Sequence, residues 1–201
     1  MKLHYATALL VAGLLGAMPA YAASSDSNST IGQSPAADCF NAAQAVSRPG
    51  NALSEPARVA ALSNCAEALS GKISSKDRTA TLVNRGTIEA ASGDLTSSLA
   101  DYDAALALNP KMADIYIDRG SALMRVARYE EARASFDHAV SLGGANTYIA
   151  FFNRAMAEEK SGNVNSAYLD YKQAVALAPN YQPAKDELAR FQTVLRVRGQ
   201  G

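Results

Sequence analysis

The sequence contains no tryptophan, two cysteines, two histidines and no surplus of either charge: 19 Lys and Arg face 19 Asp and Glu in 201 residues. Each shortage excludes something. Balanced charge leaves no excess cations to displace counterions from a polyphosphate, so nucleic acid is not an expected partner. Two histidines and two cysteines are too few for a tetrahedral zinc site and leave little for nucleophilic catalysis. The composition therefore predicts a binder without metal, cofactor or enzymatic activity. Aromatic residues make up 7% of a chain that is 48% hydrophobic, which describes one Ala-rich domain packed largely through small side chains. Long apolar runs are also missing. The longest, Ala6 to Met18, falls short of the roughly 20 residues that a membrane-spanning helix needs, so no stable membrane anchor is expected.

That short run has a different meaning at the N-terminus. Lys2 supplies a positive head, Pro19 breaks the run, and Ala20-Tyr21-Ala22 forms a small-x-small cleavage signal. Residues 1–22 read as a secretory signal peptide cut after Ala22, and a periplasmic or secreted location follows. The next residue is Ala23 and not Cys, so lipid anchoring is not encoded. Residues 23–37 are dominated by Ser, Ala, Asn and Asp and read as a flexible segment, because they bury too little surface to offset the entropy of ordering. An exported chain with Cys39 and Cys65 invites a single disulfide between two helical segments, Asp38 to Ser47 and Pro56 to Leu69. Closing such a loop stabilises by about 3.5 kcal/mol in the chain-entropy account. The alternative is a pair of buried reduced thiols.

Self-similarity decides the fold. Residues 83–110, 117–144 and 152–179 align without internal gaps, placing Arg85, Arg119 and Arg154 at equivalent positions with periods of 34 and 35 residues. Gly86, Gly120 and Ala155 follow the arginines. Further on come Ser98, Ala132 and Ala167, then the aromatics Tyr102, Phe136 and Tyr171, then Ala105, Ala139 and Ala174. Small residues let two helices approach closely, and the aromatic fills the gap between neighbouring units. Gly93 and Gly162 stand where a first helix must end in a left-handed cap, while the middle unit has Ala127 there.

This pattern resembles the tetratricopeptide repeat over about residues 79–181. The resemblance implies an all-α, right-handed α-solenoid of helix-turn-helix units, with repeats at 79–112, 113–147 and 148–181. An atypical helical unit at 38–78 would precede them, with Cys65 in the aromatic slot. Residues 182–201 would supply a capping helix and tail, with Leu188, Phe191 and Leu195 on one stripe.

The recurrent arginines need partners on an otherwise small, apolar face. Asp101 and Asp170 stand just before the aromatics of the outer units, with Ser135 in the middle one, and structural ion pairs are expected. His138, in a second helix, reads as a surface side chain.

The resemblance also implies a concave groove, lined by first helices, that binds extended or helical peptides. Its lining residues here would be Val83, Thr87, Ile117, Ser121, Met124, Arg125, Ile149, Phe152, Met156 and Lys160. Chaperone-adaptor members of the family hold a terminal carboxylate with Lys and Asn residues. Val83, Thr87 and Ile149 stand where that clamp needs polar or basic groups, so that recognition does not carry over. The expected function is an exported scaffold that binds a peptide segment of another cell-envelope protein. The competing readings are an accessory subunit of an envelope or cell-wall assembly enzyme and a self-associating structural repeat protein.

Overall fold

A computed structural model describes residues 34–198, with side chains through 193. The expected signal peptide, its cleavage point, most of the Ser-rich segment and the side chain of Leu195 lie outside the described residues. Among the described residues the chain is helix and turn, in the order α1 (Pro35–Val46), α2 (Glu55–Ser70), α3 (Ser75–Ser92), α4 (Leu95–Leu108), α5 (Ala113–Arg125), α6 (Tyr129–Leu142), α7 (Thr147–Lys160), α8 (Val164–Leu177) and α9 (Gln182–Arg198). Helix α1 starts at Pro35, inside the stretch whose composition suggested flexibility. The Ser34 hydroxyl accepts from the Ala37 amide at 3.2 Å and Pro35 is preset for the first helical turn, so capping overrides composition there.

Consecutive helices pair within each repeat, α3 with α4, α5 with α6 and α7 with α8, and each second helix packs on the next first helix. First helices also touch one another, α3 against α5 and α5 against α7. They form the inner layer of the solenoid.

The small residues act as expected. An added Cβ at Gly86 would lie 3.0 Å from the Tyr102 ring, and one at Gly120 would lie 2.5 Å from the Phe136 ring. Phe136 and Tyr171 are almost wholly buried, and Ala155 carries its methyl against Tyr171 in the third repeat. The turns after α3 and α7 use Gly93 (φ 90°) and Gly162 (φ 84°). The turn after α5 takes the same left-handed bend with Ala127 at φ 59°, a conformation that costs an L-residue about 1 kcal/mol.

Cys39 and Cys65 are joined, with their Cα atoms 4.9 Å apart, so α1 and α2 are stapled into one unit. Ala43, Val46 and Ala61 pack around the bridge and onto Ile88 of α3, which seats the unit on the first repeat. At the other end, Ala184 and Phe191 of α9 are buried against Phe152, Tyr171 and Ala174, with Leu188 packed alongside.

Candidate functional site

The arginines find the expected partners, with one informative variation. Arg85 donates to both carboxylate oxygens of Asp101 at 2.6 Å, and Arg154 to both of Asp170 at 2.7 Å. The carboxylates are nearly buried, and the hydrogen-bonded Asp170 raises the Arg154 pKa further above its ordinary value. Ser135 offers no charge, and Arg119 donates to its hydroxyl at 2.7 Å; like Arg154, which reaches Asp137 at 2.7 Å, it also reaches back to an acid of the preceding repeat, Asp103, at 2.6 Å. These arginines hold helix pairs together and are not available for a ligand. His138 is exposed and stacks on Tyr116 at 5.1 Å.

The expected groove floor is largely core. Val83, Ile117, Met124, Ile149 and Phe152 are each no more than 6% exposed, and Ser121 is buried with its hydroxyl bonded to the Ile117 carbonyl. The cause is the contact between first helices. Ile115 and Ala122 of α5 meet Leu82, Val83 and Tyr102 of the preceding repeat, while Ile117 and Met124 meet Phe136, Ile149 and Ala150. Phe152 is covered by Tyr181 in an edge contact at 5.4 Å and lies beside Tyr171 at 5.7 Å. It is an inter-repeat core residue. Of the expected lining residues, Thr87, Arg125, Met156 and Lys160 keep exposed surface.

Helical geometry then defines what the inner face presents. On α5 one flank is covered by the preceding repeat and the other by the following one, and the side with Gly120 lies against α6. The remaining stripe carries Asp114, Asp118 and Arg125, all half-buried. The equivalent stripes show Thr87 and Ala91 on α3, and Met156 and Lys160 on α7. Asn84 and Asn153 occupy the place of Asp118 in the outer repeats and are buried. Asn153 donates to Ser121 at 3.3 Å. Asp118 was missed as a site residue because it reads as the neighbour of a structural arginine. The signal that could have found it is a lone acid in a row of two asparagines.

Charges on this face are unevenly held. Asn146 donates to Asp114 at 3.1 Å, and Arg125 donates to the Ala90 carbonyl at the end of α3. Burial, and secondarily the Asp114 charge, push the Asp118 carboxyl well above its ordinary value. Behind it, burial also raises the Tyr102 phenol, whose oxygen lies 3.4 Å from the Thr87 hydroxyl. No group of acidic, histidine and cysteine side chains among the described residues is placed to hold a metal ion, and no described helix is long and apolar enough to cross a membrane.

Helix pairs of this period, packed first helix to first helix, define an all-α repeat solenoid. A tetratricopeptide repeat model matches residues 83–146 and 117–181, and the chain belongs to that family. Sperm-associated antigen 1 from Homo sapiens is 29% identical over 101 residues, covering 50% of this chain and 11% of that protein. The chain spans from about a tenth to just over half the length of the curated relatives it matches. Two solved structures share the fold. The second tetratricopeptide domain of human RPAP3, in complex with the HSP70 peptide SGPTIEEVD, has a TM-score of 0.56 at 24% identity, over 59% of this chain and 98% of that one. MamA from Desulfovibrio magneticus RS-1 has a TM-score of 0.63 at 18% identity, over 83% of this chain and 88% of that one.

Proposed function

We propose that the protein is an exported, non-enzymatic scaffold whose inner face captures a peptide segment of another cell-envelope protein. The carrying observation is the continuous stripe of accessible side chains, Thr87, Ala91, Asp118, Arg125, Met156 and Lys160, that the first helices turn away from the second helices. A face of mixed character on a rigid repeat stack suits a segment laid across several helices. A domain of the same fold holds a short peptide in the RPAP3 complex, which supports the reading. The three-part pattern of residues 1–22 supports export.

Two measurements test it. A photo-crosslinking residue at Met156, in cells, should give an adduct with another protein, whereas one at the exposed Leu169 of α8 should give none. Equal adducts at both places, or none at Met156, would remove the inner face as the site. A reporter fused after residue 30 should be exported and trimmed after Ala22. A cytoplasmic pool that keeps Met1 would remove the export.

A further inference from the structure

The inner face has two electrically different edges. Asp118 stands in the first half of α5, without an ion pair among the described residues, and Asp114 lies one turn before it. Arg125 ends α5, and Lys160 occupies the equivalent place at the end of α7, exposed and outside every ion pair among the described residues. Seven residues of helix separate Asp118 from Arg125, about 10 Å along the axis. The outer repeats do not repeat the acid: Asn84 and Asn153 fill its place, so the acids of the stripe, Asp114 and Asp118, both belong to the central first helix.

Resting on the reading of the inner face as the partner site, we infer that its occupant is a zwitterionic peptide segment, with a Lys or Arg seated at Asp118 and an Asp or Glu about three extended residues away at Arg125 and Lys160. Three extended residues span about 10 Å, which matches the axial offset of Arg125 from Asp118 on α5. Opposite charges placed this way set both the register and the direction of the bound segment. A segment whose charged side chains are all acidic, such as the HSP70 peptide SGPTIEEVD in the RPAP3 complex, would satisfy the basic edge and bring like charge to Asp118. An all-basic segment would fail at the other edge. The half-buried Asp118 carboxyl has no ion pair among the described residues, and burial holds it toward its neutral form; an arriving cation favours the carboxylate and pairs with it in a partially desolvated place.

The probe is a random twelve-residue peptide library displayed on phage and selected on the full-length protein. Enriched peptides should share a Lys or Arg three or four positions from an Asp or Glu. A synthetic peptide of the enriched sequence should bind about tenfold more weakly to Asp118→Asn and to Lys160→Glu, with circular dichroism confirming that both variants fold. Exchanging the peptide's two charges should restore binding to the Asp118→Lys, Lys160→Glu double variant. Enrichment of purely acidic peptides that bind Asp118→Asn as well as the parent would overturn the polarity and leave the inner face standing. Binders indifferent to every inner-face substitution, or no enrichment at all, would overturn both.

Discussion

The middle repeat and its two neighbours share a backbone and differ in where they keep their charge. The first and third repeats bury acids. Asp101 and Asp170 clasp arginines, and Glu89 and Glu158 sit at matching places near the ends of α3 and α7. The middle repeat has Ser135 and Leu123 at those places, and it carries Asp114, Asp118 and Arg125 on the inner face. One scaffold thus tolerates charge as mortar in some units and as display in another. The two acids of the outer repeats are also unequal. Glu158 accepts from Asn163 at 2.6 Å and has Arg133 at 3.7 Å. Glu89 has Asp94 where Glu158 has Asn163, and no protein donor reaches its Oε2. Burial, with the Asp101 charge next, pushes Glu89 up to about 7 despite Arg85.

The largest effect that would sharpen this comparison lies in the helix pairing of the middle repeat. Gly120→Ala drives a methyl to 2.5 Å from the fully buried Phe136 ring, and should cost about 2 to 3 kcal/mol in urea unfolding. Ala155→Gly, at the same place in the third repeat, should cost about 1 kcal/mol through helix propensity. Equal losses would mean that the two pairs are packed alike. A smaller effect separates the buried acids. Because the folded Glu89 pKa is raised, its contribution to stability is complete below about pH 4.5 and is lost as pH rises through 7. Glu89→Gln should therefore match the parent at pH 4 and exceed it at pH 8 by on the order of 1 kcal/mol, once solvent screening is allowed for. Glu158→Gln gives up the ion pair with Arg133 and should not exceed the parent, so a stabilisation matching that of Glu89→Gln would break the distinction. The smallest effect concerns the bend after α5. Ala127→Gly should stabilise by about 0.5 to 1 kcal/mol, since Gly accepts φ 59° without a Cβ penalty. An unchanged midpoint would show that the bend is not strained.

Periodicity exposed the stack readily. Arg85, Arg119 and Arg154 announced the register, the aromatics 17 residues on announced the pairing, and Asp101 and Asp170 announced the ion pairs. The inner face was harder to read for a physical reason. Spacing assigns Val83, Ile117, Ile149 and Phe152 to one side of a helix, but whether that side meets water depends on how closely the next first helix lies. The contacts of α3 with α5 and of α5 with α7 cover them, and Tyr181 closes over Phe152. Asp118 was hidden by the opposite error, since its neighbour Arg119 has an evident structural partner. The turn at Ala127 was legible as an anomaly, and it resolved as a left-handed alanine rather than a different turn.

The bridge between α1 and α2 makes the stack directional under load. Tension on the polypeptide cannot draw out the loop between Cys39 and Cys65, a separation of 26 positions, because a covalent bond carries the force across it. At the far side α9 rests on Phe191, Ala184 and the bond of Arg190 to Glu159 of α7, none of them covalent. Pulled along its length, the molecule behaves as a thread knotted at one end. Its fully drawn length stays short of its contour by the segment the knot encloses.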